Sequence, residues 1–115
     1  MSQTRPSEPL EVITAIVQHG MGNAAAKAAV EAGAQAVTIT HGRGMGVREK
    51  LRFLGVAIHP EKEIIFTIVP AHLTDRVFEA MFKAGRIGEP GMGFIFVQEV
   101  KRASGWLSED LKSVT

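Results

Sequence analysis

The stretch Glu63-Ile-Ile-Phe-Thr-Ile-Val69, followed by Pro70, is the clearest strand of the sequence. Its β-branched and aromatic side chains favour an extended backbone, and Pro70 ends the pattern. Apolar residues then recur at helical spacing, as i,i+4 pairs, at Val77, Phe78, Met81 and Phe82. Thr74 or Asp75 is a suitable residue to cap this helix, and Gly85 ends it. A further strand follows, Phe94-Ile-Phe-Val-Gln-Glu-Val100.

The first half of the chain repeats this plan. The stretch Val12-Ile-Thr-Ala-Ile-Val17 predicts a strand, and Ala36-Val-Thr-Ile-Thr-His41 predicts another. Between them, Asn23 is the expected N-cap of an alanine-rich helix over residues 24–32, and Gly33 is its expected stop. The two helices end alike, in Ala-Gly.

The order strand, helix, strand, strand, helix, strand predicts an α+β, ferredoxin-like βαββαβ fold. Four antiparallel strands form one sheet, and two helices cover one of its faces. The predicted domain covers residues 11–105. A flexible tail precedes it over residues 1–10, where Pro and Ser are frequent, and a polar tail follows over residues 106–115.

The predicted strands are apolar on both faces. Ile64, Phe66 and Ile68 alternate with Ile65, Thr67 and Val69, so no polar face emerges. Two helices cover only one face of a four-stranded sheet, and a chain of 115 residues has little left to cover the other. Another subunit is the expected cover, unless the apolar residues reflect strand propensity alone.

The composition excludes several classes of protein. The formal net charge is +1, which gives no global electrostatic reason to bind nucleic acid or a membrane surface. The chain has no Cys, so disulfides and thiolate metal sites are excluded. No apolar run reaches the roughly 18 residues needed to cross a bilayer. We therefore expect a cytoplasmic protein.

Two glycine-rich loops are the candidate binding elements. Backbone N–H groups of such loops can turn together toward phosphate or carboxylate oxygens. Each loop also carries an arginine, Arg43 or Arg86, suited to bidentate anion contacts. The alternative is that both loops are only tight turns. Their glycines are Gly42, Gly44 and Gly46, and Gly85, Gly88, Gly91 and Gly93.

The common nucleotide-binding motifs are absent. Val47 stands where a Gly-x-Gly-x-x-Gly motif needs its third glycine, and no P-loop motif occurs. No paired acid and base or activated nucleophile indicates catalysis, so we do not expect an enzyme. A metal-binding protein of this fold, with more than one subunit and with His19, His41 or His59 as ligands, is the alternative function.

The segment 47–60 fits no single pattern. A connection of this length in a compact domain is often functional. Its apolar residues allow a short, solvent-exposed helix over residues 49–54 that packs its apolar side against the rest of the domain. The alternative is a mobile element that reports the ligand state to a partner.

Two groups of residues resemble the PII signalling family: Thr38-Ile-Thr40 running into Gly44-Met-Gly46, and Gly85-Arg-Ile-Gly88 running on to Ile95-Phe-Val97. The similarity spans about residues 11–105. In the family these segments are the base of the T-loop and the B-loop. The resemblance implies a homotrimer with its sheets facing inward and adenine nucleotides between subunits. It also implies that the T-loop, here residues 42–60, regulates a partner transporter or enzyme of nitrogen or carbon metabolism.

The resemblance also implies ligand contacts by position. Gly44 and Gly46 would line the nucleotide, and Lys62 would reach a phosphate. The B-loop would cradle the phosphates through Gly85, Gly88 and residues 89–93, including Glu89, Gly91 and Gly93. We add as candidates the flanking Gly42, Arg43 and Arg86, with Lys101 and Arg102 near the place of a family arginine pair. The effector would be ATP, ADP or AMP, and no obligatory cofactor is expected.

Three departures from the family pattern stand out. The chain has no Tyr, which excludes uridylylation at a T-loop tyrosine. Arg48 replaces the glutamine that helps to bind magnesium, ATP and 2-oxoglutarate. Phe94 replaces the B-loop lysine. The resemblance therefore indicates a divergent member of the family.

Overall fold

The computed structural model describes residues 8–44, 51–53, 56–58 and 60–105. One antiparallel sheet has the strand order β2-β5-β1-β6, and two helices pack against one face of it. The predicted ferredoxin-like α+β fold is confirmed. The elements are, in order, β1 (Leu10–Gln18), α1 (Gly22–Glu31), β2 (Thr38–Arg43), β3 (Leu51–Phe53), β4 (Val56–Ile58), β5 (Glu61–Pro70), α2 (Ala71–Ala84) and β6 (Gly93–Val100).

The core lies between the sheet and the two helices. Alternate residues of β1 and β5 point into it, as expected when one strand face is covered. Alanines on α1 bring its backbone close to the sheet, and larger side chains of α2 fill the remaining space. The fully buried residues are Ile13, Ala15, Val17, Ala25, Ala29, Ile65, Val69, Val77 and Met81.

The sheet face opposite the helices keeps large apolar side chains in contact with solvent. Phe66 is 37% exposed, Ile68 44% and Phe94 64%. Phe94 and Phe96 lie side by side on β6, with ring centroids 5.9 Å apart. We call this surface, formed by Val12, Thr14, Ile16, Ile64, Phe66, Ile68, Phe94 and Phe96, the open face. Nothing within the described residues covers it.

The predicted capping of α1 is wrong. The helix begins at Gly22 after Met21, and Asn23 is an exposed residue inside its first turn. No side chain of the Met21 cap position accepts a hydrogen bond from the helix. The Gly22 N–H instead donates to the carboxylate of Glu63 on β5. The other end agrees with the prediction, because α1 ends at Glu31 and Gly33 adopts a φ of 122°.

The predicted capping of α2 by Thr74 or Asp75 is also wrong. The helix begins at Ala71, directly after Pro70. Residues 8 and 9 satisfy its first N–H groups: Ala71 donates to the Pro9 carbonyl and His72 to the Glu8 carboxylate. Thr74 lies inside the helix, where its hydroxyl donates to the Glu11 carboxylate. Gly85 is the C-cap, as predicted.

The prediction of a possible helix over residues 49–54 is wrong for residues 51–53, the part of this segment that the structure describes. Leu51–Phe53 and Val56–Ile58 are short strands that pair antiparallel with each other. Residues 49, 50 and 54 lie outside the described residues, as do residues 1–7 and 106–115 of the two predicted tails. Alternating and helical spacings cannot be told apart over so short a run.

Candidate functional site

The two glycine-rich loops lie at the same end of the sheet. The antiparallel register brings the end of β1 beside the starts of β5 and β6, with Gln18 opposite Lys62 and Val17 opposite Gly93. The end of β2 also lies here, because Arg43 pairs with Glu61. We call this the loop end of the sheet.

The first loop leaves β2 next to Lys62. Gly42 is directly opposite Lys62, and the Gly44 N–H donates to the Pro60 carbonyl at 3.2 Å. Among the described residues, apart from its chain neighbours, the nearest atom to an added Cβ at Gly44 would be the Lys62 Cγ, at 4.0 Å. Lys62 itself is buried, at 8% exposure. Gly46 lies outside the described residues.

Two cationic residues at the base of this loop, Lys62 and Arg43, belong to different faces of the sheet. Successive side chains of a strand point to opposite faces, and cross-strand partners share a face. Arg43 pairs with Glu61, whereas its neighbour Gly42 pairs with Lys62. Lys62 therefore belongs to the side of the open face, and Arg43 to the side of the helices.

The second loop connects α2 to β6 and contains a close ion pair. Arg86 donates from Nε to Glu89 Oε2 at 2.8 Å and from Nη2 to Glu89 Oε1 at 2.6 Å. Hydrogen bonds from the guanidinium hold the pKa of the Glu89 carboxyl below its usual value, and the carboxylate raises the pKa of Arg86. Both side chains are about half exposed.

Packing explains several glycines of the second loop. A Cβ at Gly88 would come within 2.9 Å of the Phe82 ring, and a Cβ at Gly93 would overlap the Ile16 carbonyl oxygen. Gly91 has a φ of 78°, and its carbonyl accepts a hydrogen bond from Gln18 Nε2 at 2.7 Å. The fold therefore favours glycine at positions 91 and 93 whether or not a ligand binds, and at position 88 unless the Phe82 ring shifts.

Lys101 and Arg102 lie away from both loops. They follow β6 at the opposite end of the sheet, where Val100 pairs with Leu10. Seven residue steps along β6 separate that end from Gly93, which corresponds to about 23 Å. A single chain therefore cannot bring Lys101 and Arg102 to the glycine-rich loops.

A cluster of acidic and imidazole side chains lies beside the first loop. His19 Nδ1 is 3.5 Å from Glu61 Oε2 and 3.5 Å from Glu63 Oε2. A cavity of about 440 Å³ opens next to this cluster. It is lined by His19, His41, Gly42, Arg43 and Glu61.

Glu63 is the member of this cluster with a definite structural role. Its Oε1 accepts the Gly22 N–H at 2.6 Å, and its side chain is 10% exposed. The N–H of Gly20 contributes most to lowering the pKa of this carboxyl, and Gly22, His19 and His41 act in the same direction against burial. The helix N-terminus that Glu63 caps lies 41 positions away in the chain, so no local sequence pattern indicates this role.

The histidines do not form a metal site among the residues that the structure describes. No group of three or more His, Asp or Glu side chains in those ranges is arranged to hold a metal ion. His72 pairs with Glu8 at the opposite end of the sheet, with 2.6 Å between His72 Nδ1 and Glu8 Oε1. His59 lies outside the described residues.

Neither α1 nor α2 has the length and apolar content needed to cross a bilayer.

Comparisons with known proteins agree with this architecture. A solved structure, the Bacillus cereus protein related to NIF3, is similar with a TM-score of 0.64 and 22% sequence identity. The match covers 90% of this chain but 28% of that one, and shows a shared fold. No curated protein matches. The family model of the nitrogen regulatory protein P-II matches residues 10–106. The chain therefore belongs to the P-II family of nitrogen regulatory proteins.

Proposed function

We propose that the protein is a trimeric, cytoplasmic signal-transduction protein that senses a small anionic effector, an adenine nucleotide. The effector binds in clefts between subunits, and residues 42–60 carry its state to a regulated transporter or metabolic enzyme. The role is regulatory and not catalytic. The observation that carries the proposal is the meeting of both glycine-rich loops with Lys62 at one end of the sheet.

The proposed ligand contacts follow from this arrangement. Backbone N–H groups of glycine-rich loops and a lysine ammonium are suitable partners for phosphate oxygens. Lys62 extends from the side of the open face, next to the Gly44 backbone. The loop glycines and Arg86 supply the remaining contacts. The contacts proposed are Gly42, Arg43, Gly44, Gly46, Lys62, Gly85, Arg86, Gly88, Gly91 and Gly93. Glu89 lies in the same loop, but its carboxylate is not a suitable partner for an anion.

Two features support a site shared between subunits. Lys101 and Arg102 are separated from the loops by the length of β6, so a neighbouring copy must supply them if they contact the same ligand. The open face presents Phe66, Ile68 and Phe94 to solvent, and burying such side chains against another subunit is favourable.

The proposed signalling step is ordering of the loop between β2 and β5. The hydrogen bond from Gly44 to Pro60 closes the base of this loop, and Lys62 follows two residues later. An anion held by Lys62 beside this closed base favours one conformation of the base over others. Ordering of a segment by a bound phosphate is an established form of switching.

Calorimetric titration of the purified protein tests the proposal. The panel is ATP, ADP, AMP and cyclic AMP, each with and without 2-oxoglutarate or bicarbonate. We expect saturable binding of at least one nucleotide, with up to three sites per trimer. Absence of binding across the panel contradicts nucleotide sensing.

A matched pair of lysine variants tests the site. Lys62→Ala removes the proposed phosphate contact and is expected to weaken binding by about tenfold or more, as for other hydrogen bonds to charged groups. Lys27→Ala removes an exposed lysine of α1 and leaves affinity unchanged. Because Lys62 is buried, circular dichroism must show that both variants are folded. Equal affinities of the two variants exclude Lys62 from the site.

A further inference from the structure

The ion pair between Arg86 and Glu89 has the geometry of an anion-binding site that is already filled. Two hydrogen bonds, of 2.8 and 2.6 Å, join the guanidinium edge to both carboxylate oxygens. A phosphate offers a guanidinium the same pair of oxygens, so carboxylate and phosphate compete for one position.

The backbone of the loop holds this pair in place. Arg86 has a φ of 56°, which makes it the one residue other than glycine with positive φ in the described part of the chain. The Glu89 N–H donates to the Arg86 carbonyl, and the Met92 N–H donates to the Glu89 carbonyl. This conformation is unfavourable for a residue with a side chain. The turn therefore fixes Arg86 and Glu89 toward each other at a backbone cost.

Arg86 is also the sole cation between residues 85 and 93 of the sequence. Phe94, which directly follows this stretch, is 64% exposed and carries no charge. An anionic effector that approaches this loop therefore meets a guanidinium whose fork is occupied by Glu89. It also meets the negative charge of Glu89 itself.

We propose that Glu89 occupies, in the free chain, the position on Arg86 that an anionic group of the effector takes, and that binding displaces it. Glu89 thus sets the affinity of the loop for its effector. This inference rests on the proposed function, because it places the effector on the second glycine-rich loop.

Glu89→Gln tests the inference, because it keeps the size of the side chain and removes its charge. Calorimetry with ATP and with inorganic pyrophosphate should give about two- to fivefold tighter binding than the wild type, the range expected for an exposed ion pair. Glu31→Gln is the matched control: it removes an exposed carboxylate at the far end of α1 and leaves affinity unchanged.

A second variant, Arg86→Gln, tests whether Glu89 acts through Arg86. It should weaken binding of both probes, and the double variant with Glu89→Gln should bind like Arg86→Gln alone, because Glu89 acts only through Arg86. Additive effects of the two substitutions, or unchanged or weaker binding by Glu89→Gln, overturn the inference.

The outcomes separate this inference from the proposed function. If the wild type binds ATP and Glu89→Gln binds it equally well, the displacement is wrong and nucleotide sensing stands. If neither protein binds either probe, both fail. Carbon-detected NMR of Glu89 adds a direct readout: its lowered pKa should return toward the usual value when ATP saturates the protein. A pKa that stays low with ATP bound contradicts the displacement.

Discussion

The Glu63 carboxylate on β5 accepts the N–H of Gly22, the first residue of α1, at 2.6 Å. The two residues are 41 positions apart in the chain. A carboxylate at a helix N-terminus satisfies an N–H that has no partner within the helix, and it interacts favourably with the helix dipole. This contact joins the two halves of the fold beside the first glycine-rich loop.

Glu63→Gln should lower stability at neutral pH and flatten its dependence on pH. The pKa of Glu63 is lower in the folded protein than its usual value of 4.5. Its ionised form therefore stabilises the fold above that value, and this contribution is lost as the pH falls through the folded pKa. We expect a loss of about 1 kcal/mol at pH 7, as for other helix caps.

Urea unfolding of wild type and variant between pH 3 and pH 7 measures this difference. The two free-energy curves should converge toward the acidic end. Curves that stay parallel would show that another group causes the acid dependence.

Gly22→Ala should destabilise the protein although alanine favours helices. An added Cβ at Gly22 overlaps Glu63 Oε1, so the carboxylate must leave the helix terminus. We expect a cost of about 1–2 kcal/mol, the value of a lost cap. In a Glu63→Ala background the cost should be smaller, because the remaining contact is the one between the two Cβ atoms at 3.2 Å. A double-mutant cycle checks this coupling, and equal costs in both backgrounds would refute it.

Gly93→Ala and Gly44→Ala separate a structural glycine from a proposed binding glycine. At Gly93 the new Cβ overlaps the backbone carbonyl of Ile16, so we expect a loss of about 1–3 kcal/mol in unfolding free energy. At Gly44 the nearest atom among the described residues, apart from its chain neighbours, is Lys62 Cγ at 4.0 Å, so stability should be kept while ATP binding weakens. Thermal unfolding together with calorimetry distinguishes the two results. Full ATP affinity in a stable Gly44→Ala variant would remove Gly44 from the site.

Phe66→Glu should dissociate the proposed trimer. Phe66 lies on the open face with 37% exposure, and a charge there is costly to bury between subunits. Val30→Glu is the control, because Val30 is 53% exposed on α1. Light scattering after size exclusion should give a trimer for the wild type and Val30→Glu, and a monomer for Phe66→Glu. A wild-type mass of one chain, or a trimer of Phe66→Glu, contradicts assembly through the open face.

The elements of the sheet could be predicted from the sequence because their signals are local. The β-branched residues over positions 63–69 favour a strand at that place in the chain. Gly33 and Gly85 likewise end the helices that directly precede them. The helix starts could not be predicted, because their partners come from elsewhere. Glu63 reaches α1 across the sheet, and Glu8 and Pro9 satisfy the first N–H groups of α2. The strands β3 and β4 could not be predicted either, because three residues are too few to show an alternating pattern.

The candidate site was predicted in part. Sequence reasoning selected both glycine-rich loops, and the strand register brings them to one end of the sheet. It named Arg43 and Lys62 as candidate contacts without assigning either to a face of the sheet, and their neighbouring register positions place them on different faces. It also treated Arg86 as available to an anion and did not foresee that Glu89 fills its fork. Which face a strand residue takes, and which charge a turn brings near it, depend on pairing that a linear pattern does not contain.

The strand order β2-β5-β1-β6 never places two strands of the same half next to each other. β1 pairs with β5 and β6, and β2 pairs with β5, so every ladder of this sheet joins the first βαβ unit to the second. Neither unit can form this four-stranded sheet by itself, and both must be present before any of its ladders can form. The domain should therefore fold in one cooperative step, and two fragments cut between β2 and β5 should each stay unfolded alone and recover structure only when mixed.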